Sequence, residues 1–131
     1  MAVRKTDIYF GNTFRGELDV SSGKLPLGVE QGTFEPYDLL FGALASCLYA
    51  TFLDVAKKKK INFESAHIVV TGEKRTEVPT VLSWVDTKIT IKGAEKEAGL
   101  EKAFELATKY CSIYQTIEQV AKMTWSAHFE E

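Results

Sequence analysis

Cys47 and Cys111 are the residues of this chain best suited to covalent chemistry, and both fall in segments that should be helical. Cys47 lies within Leu39-Leu40-Phe41-Gly42-Ala43-Leu44-Ala45-Ser46-Cys47-Leu48, and Cys111 opens Cys111-Ser112-Ile113-Tyr114-Gln115-Thr116-Ile117. A thiol attacks only as its thiolate, so its surroundings must favour negative charge through a cation, a helix N-terminus or hydrogen-bond donors. A helix starting at Ser112 would place its free N–H groups near Cys111, whereas Cys47, in mid-helix, needs a side-chain cation. On that ground Cys111 is expected to be the more acidic thiol and Cys47 the more hidden one. The commonest fate of a free cysteine is that of a small buried hydrophobe. Against it stand two apolar helix faces that must pack in one small core, with no third cysteine to compete for pairing. A disulfide requires Cα atoms within roughly 4.4 to 6.8 Å, a separation that the sequence leaves open.

Other chemistries lack a motif. The chain has no Cys-x-x-Cys, Gly-x-Gly-x-x-Gly, P-loop or His-Glu-x-x-His, which removes the usual basis for dithiol-exchange, nucleotide, phosphate and metal readings. His67 and His128 fall in separate strands without a second ligand at metal spacing, so structural or exposed roles are expected of them and no metal or cofactor is. A net charge of −2 and one short basic run, Lys57 to Lys60, give no general attraction for nucleic acid. The run reads as a solvated helix end. The charged opening residues, Met1 to Asp7, are followed by no apolar stretch, which predicts no secretory leader and a cytoplasmic protein. Cysteines in that compartment are free, metal-bound or redox-active more often than they are permanent staples.

The positioning elements follow from hydrophobic spacing. A length of 131 residues suits a single domain, 1–131. Val3 to Phe10 and Thr13 to Val20 alternate loosely about Asn12, which predicts a hairpin, with one short strand more around Leu25 to Val29. Pro36 suits a first helical turn and Asp38 adds a carboxylate at its positive end, so a helix is expected from about Pro36 to Lys59. Its apolar run, Leu39 to Leu53, is shorter than a membrane span and reads as a buried helix. Because it is apolar nearly all round, it must be covered on several sides. The small residues Gly42, Ala43, Ala45, Ser46 and Ala50 would admit another backbone, which predicts a homodimer with this helix at its centre. Phe10, Phe14, Phe34, Tyr37, Phe41, Tyr49 and Phe52 are expected mostly in the core, with an apolar pocket as the alternative. Phe63 to Glu73 and Val81 to Lys92 read as strands, the second with Asp86, Lys88, Thr90 and Lys92 on one face and Val85, Ile89 and Ile91 on the other. Leu100, Ala103, Phe104, Ala107 and Cys111 mark a helix from about Glu95, Ile113 to Ala121 a further one, and Met123 to Phe129 a last strand. The class is α+β.

Pro36-Tyr37-Asp38-Leu39-Leu40-Phe41-Gly42-Ala43-Leu44-Ala45-Ser46-Cys47 resembles the Pro-x-x-Leu-Leu…Ala-Leu-x-x-Cys pattern of the OsmC/Ohr family. Gly72-Glu73-Lys74-Arg75 before Pro79, and Lys109-Tyr110-Cys111-Ser112 with its trailing helix and strand, resemble the short OsmC-like branch. The resemblance implies an OsmC-like fold, with antiparallel sheets around a long buried central helix in an intertwined homodimer. It also implies a thiol peroxidase acting on organic hydroperoxides, with Cys47 attacking, Cys111 resolving, and a dithiol reductant, lipoyl-type in relatives, restoring the pair. In the peroxidase branch a glutamate follows the helix-opening proline and holds an arginine against the reactive sulfur. Here that position is Tyr37, which leaves Glu35 or Asp38 as substitutes and Arg15, with Arg75 second, as the cation. The alternatives are a non-catalytic member that binds a small hydrophobic ligand at the dimer interface, and a thiol-disulfide oxidoreductase acting on proteins.

Overall fold

The computed structural model describes residues 3–131; Met1 and Ala2 of the charged N-terminal stretch lie outside the described residues. The chain divides into two compact units, Met1–Leu40 and Phe41–Glu131.

In the first unit β1 (Asp7–Phe10), β2 (Gly16–Val20) and β3 (Gly23–Leu27) form an antiparallel meander in that order. The register sets Asp7 opposite Asp19 and Phe10 opposite Gly16, and Val20 opposite Gly23 across a two-residue turn. The expected hairpin is present with shorter strands, and the third strand ends at Leu27 instead of Val29. Gly28 follows at φ +154, where a side chain would be strained, and its N–H donates to the Phe34 carbonyl at 3.2 Å. Phe10 and Phe14 stack at 5.7 Å between ring centroids.

The second unit takes most of α1 (Pro36–Lys58), followed by β4 (Ser65–Lys74), β5 (Leu82–Lys92), α2 (Glu97–Tyr110), α3 (Ser112–Glu118) and β6 (Lys122–Glu130). The three strands form one sheet in the order β4-β5-β6. β4 and β5 are antiparallel, but β6 runs parallel to β5, Trp84 beside Lys122 and Lys92 beside Glu130. The expected all-antiparallel sheet is therefore corrected to a mixed one. A parallel return needs a crossover longer than a hairpin, and α2 and α3 supply it.

β5 bears out the alternation that its sequence predicts. Val85, Thr87, Ile89 and Ile91 are fully buried, while Lys88 and Lys92 are exposed. Thr87 joins the inner face because its hydroxyl donates to the Thr124 carbonyl at 3.5 Å, offsetting much of the cost of burying it. α2 buries Leu100, Ala103, Phe104 and Ala107, the predicted stripe, together with Thr108. From α1 the residues Leu44, Leu48, Phe52 and Ala56, one turn apart, enter the same core. Phe52 meets Phe63 at 5.6 Å and Phe104 at 5.9 Å, and Phe104 meets Trp125 at 5.6 Å. Those aromatic contacts tie α1, α2 and β6 together. The aromatic core expected in the first half is largely not found. Phe52 alone of those residues is fully buried, Phe41 and Tyr49 are half-buried, and Phe10, Phe14, Phe34 and Tyr37 are exposed.

α1 has 23 residues, longer than its apolar run suggests. Among the described residues it is the one helix long and apolar enough to cross a membrane, with mean hydropathy 1.8, and 22% of that stretch is buried. Only one stripe of the helix is thus covered within the single chain. The lysine run ends it as expected, exposed, with Lys60 at φ +58 in the left-handed conformation common just beyond a helix.

Candidate active site

The break between α2 and α3 creates the site. Cys111 has extended backbone, φ −69 and ψ 116, and caps both helices. Its N–H donates to the Ala107 carbonyl at 2.8 Å, closing α2, and its carbonyl accepts from the Gln115 N–H at 3.0 Å, opening α3. Its Sγ accepts from the Tyr114 N–H at 3.4 Å. The thiol thus does what a serine or aspartate oxygen does at an ordinary N-cap. The first amides of α3, those of Ser112 and Ile113, have no acceptor in their own helix.

Those amides serve Cys47. The Ile113 amide, the Cys111 thiol and the hydroxyl and amide of Ser112 each pull the pKa of Cys47 down. Cys47 itself is fixed within α1, where its carbonyl accepts from the Thr51 hydroxyl at 3.0 Å. Both thiols are free; Cys47 is half-buried and Cys111 fully buried. Burial is the largest influence on Cys47 and pushes its pKa up, but the donors from Ile113, Cys111 and Ser112 outweigh it, leaving the thiol below its ordinary 9.0. Burial likewise leads at Cys111 and meets little compensation. The Tyr114 amide lowers the value, the neighbouring Cys47 thiolate raises it, and the thiol stands at about 11.

The acidity order is therefore the reverse of the sequence expectation, as is the order of burial. The helix starts at Ser112 as expected, but its free amides serve the other sulfur. A cysteine that is itself the N-cap reaches only the third amide of its helix, and the first two face outward to whatever packs across them. Ser112 and Ile113 are the residues that sequence reasoning missed; the signal was a helix beginning directly after a cysteine.

Asp38, Glu35 and Arg15 belong to the first unit. Asp38 lies in the first turn of α1, and its carboxylate accepts from the Glu35 N–H at 2.9 Å, half of a capping box. Glu35 and Arg15 are exposed residues of the first unit. Arg75, exposed beyond β4, donates through Nε to the Pro79 carbonyl at 2.9 Å within its own turn. His67 and His128 are exposed on either side of Thr90 in the sheet. Among the described residues no three His, Cys, Asp or Glu side chains gather as a metal site.

The raised Cys111 value makes stability depend on alkali. Folded Cys111 keeps its proton to about pH 11, whereas an unfolded thiol releases it from 9.0. Above pH 9 the unfolded state binds fewer protons, so stability falls as pH rises through this window, by about 3 kcal/mol at its upper end. Tyr114, pushed to about 12 by burial and then by Glu118 and Asp86, adds a loss of the same sign at still higher pH. Urea midpoints measured across this range should fall more steeply for the native chain than for Cys111→Ala. Parallel curves would show that Cys111 does not carry the dependence.

Residues 29–126 match the family model described as OsmC-like protein, and the match crosses the division between the two units. No curated protein matches the chain in sequence. Among solved structures, a hypothetical protein from Aquifex aeolicus is 25% identical, with 100% of each chain covered and a TM-score of 0.83. An OsmC-like protein from Mycoplasma pneumoniae is 19% identical, with 98% of this chain and 99% of that one covered and a TM-score of 0.84. An organic hydroperoxide resistance protein from Legionella pneumophila is 16% identical, with 98% and 99% covered and a TM-score of 0.71. The mixed α+β fold is shared with these structures, and with its family pattern matched over most of its length the chain belongs to the OsmC-like protein family.

Proposed function

We propose that this protein is a cytoplasmic, homodimeric thiol peroxidase that reduces organic hydroperoxides. The observation that carries the reading is the pair of neighbouring free thiols with opposite pKa shifts, Cys47 lowered and Cys111 raised. An attacking sulfur must be a thiolate, and a resolving sulfur serves best if it stays protonated until the first has been oxidised. The Legionella protein of the same fold is named for resistance to organic hydroperoxides, which supports the same class of substrate.

In the first step the Cys47 thiolate attacks the outer oxygen of R–O–OH. The O–O bond breaks with its electron pair on the alkoxide, which takes a proton and leaves as the alcohol, and Cys47 becomes a sulfenic acid. The Cys111 sulfur then attacks the Cys47 sulfur, its proton leaves with the hydroxyl as water, and a disulfide forms. A dithiol reductant, lipoyl-type in the family pattern, returns two electrons and two protons and leaves as its own disulfide. The neighbours of Cys47 along α1 at helical spacing that reach the surface are Ala43, Ala50 and Thr51. Such a wall favours a substrate carrying an apolar R group over hydrogen peroxide.

Stopped-flow oxidation of the reduced protein by cumene hydroperoxide and by hydrogen peroxide tests the reading. Expected are faster oxidation by the organic peroxide, loss of both thiols, and a mass lower by about 2 Da for one disulfide. Oxidation no faster than that of a free thiol would overturn it and leave a binding protein of this fold.

A further inference from the structure

A helix leaves its last carbonyls without backbone partners of its own, and α2 ends at Tyr110. The Cys111 N–H takes the Ala107 carbonyl at 2.8 Å. The next carbonyl, that of the buried Thr108, would in a continuous helix accept from the Ser112 N–H. The extended backbone of Cys111, φ −69 and ψ 116, breaks that ladder. The Gln115 side chain replaces the missing donor: its Nε2 donates to the Thr108 carbonyl at 2.9 Å. The Thr108 hydroxyl is engaged elsewhere, donating to the Glu105 carbonyl at 2.7 Å. Gln115 also donates its own N–H to the Cys111 carbonyl at 3.0 Å. One residue therefore grips the break from both sides.

We propose that Gln115 is the positioning residue of the joint: by tying α3 to the last turn of α2 it sets the bend that holds the Cys111 sulfur for its attack on Cys47. The assignment rests on the reading of Cys111 as the resolving thiol. Two helices that meet at one extended residue have no regular structure to fix their angle, and α3, with 7 residues, is too short to hold itself. A disulfide closes only when the two Cα atoms come within roughly 4.4 to 6.8 Å, so a small change of bend is felt at the sulfur. Gln115 acts through Cys111 and takes no part in the chemistry itself.

Diamide closes the pair without peroxide. The Cys47 sulfur adds across its N=N bond, and the Cys111 sulfur then displaces the reduced diamide and forms the disulfide. The lifetime of the intermediate adduct, followed by intact mass after acid quenching, reports the closing step alone. Three variants are compared with the native chain, each well below its thermal midpoint. Gln115→Met keeps the length and loses the donor, Gln115→Glu sets a carboxylate against the Thr108 carbonyl, and Gln115→Lys keeps a donor, with a cation favoured at a helix C-terminus. The adduct should last about three- to tenfold longer in Gln115→Met and longer still in Gln115→Glu, with Gln115→Lys closer to the native chain. Native lifetimes in both Gln115→Met and Gln115→Glu, whatever their thermal midpoints, would overturn the assignment and leave Gln115 a structural staple. So would a Gln115→Lys adduct as long-lived as that of Gln115→Met, because the donor would then not be what matters.

Diamide needs no peroxidase activity, so the two readings fail separately. A native chain that does not consume peroxide but whose adduct closes more slowly without the Gln115 donor loses the peroxidase reading and keeps the positioning role. A chain that turns over peroxide with Gln115 variants closing at the native rate keeps the peroxidase reading and loses this one.

Discussion

Cys47→Ser is expected to abolish peroxide consumption, by at least about three orders of magnitude in rate. The Ile113 and Ser112 amides, the Cys111 thiol and the Ser112 hydroxyl hold the pKa of this thiol below its ordinary 9.0, and a serine hydroxyl does not ionise in that range. The substitution is nearly isosteric and half-exposed, so the fold should survive it. Cys111→Ser should behave differently. The first oxidation should proceed at close to the native rate, because a hydroxyl at residue 111 still donates to the Cys47 thiolate. The sulfenic acid then has no thiol partner, so the protein should gain about 16 Da with one equivalent of peroxide and about 32 Da with excess, as it passes to the sulfinic acid. Cys111→Ala removes the donor as well and should slow the first oxidation about three- to tenfold relative to Cys111→Ser. Intact mass after graded additions of cumene hydroperoxide checks all three. A Cys47→Ser chain that still consumes peroxide would remove Cys47 from the attacking role. A Cys111→Ser chain that resists overoxidation by excess peroxide as well as the native chain does, gaining neither about 16 nor about 32 Da, would remove Cys111 from the resolving one.

Much of what positions the two sulfurs is visible in the chain. β5 alternates because its inner residues must be apolar and its outer ones need not be, and the split between Val85, Ile89, Ile91 and Lys88, Lys92 survives intact. α2 repeats every three or four residues for the same reason. The direction of β6 was not legible, since a strand's apolar pattern reads the same for parallel and antiparallel neighbours and only the crossover through α2 and α3 decides. The acidity order escaped for a sharper reason. Cys111 and Ser112 are both residues that could cap a helix, and the choice between them moves the free amides by one position. With Cys111 as the cap its own sulfur takes the third amide and is sealed in the core, while the first two turn to Cys47. The start of α3 was legible, and what was not is that its first amides act on Cys47, a residue 65 positions before Ser112 in the chain. Family resemblance assigns the attack to Cys47 from position alone, and the donors give that assignment a physical basis.

Ala50→Arg is expected to convert a two-chain particle into single chains. The reason lies on the side of α1 that its own chain leaves open. Gly42, Ser46, Ala50 and Asp54 are exposed at intervals of one turn, opposite a stripe of Leu44, Leu48, Phe52 and Ala56 that is already buried. The Ser46 hydroxyl turns back onto the Gly42 carbonyl at 2.8 Å and the Ala43 carbonyl at 3.2 Å, so it makes little demand on water and leaves the stripe smooth. A helix with mean hydropathy 1.8 and so little of it covered gains by burying that stripe, and small side chains let a second helix approach to about 8 Å. A second copy of α1 across a two-fold axis fits, since one surface then serves both chains. That symmetry also doubles the effect of any substitution. Two bulky charged side chains would be driven into the small-residue seam, which should weaken association at least about a hundredfold. Sedimentation velocity of the native chain, Ala50→Arg and Glu101→Arg on exposed α2 tests this. The native chain and Glu101→Arg should sediment as dimers and Ala50→Arg as a monomer with the circular dichroism of the native fold. A native chain that is monomeric at all concentrations, or an Ala50→Arg dimer as tight as the native one, would show that α1 is not where two copies meet.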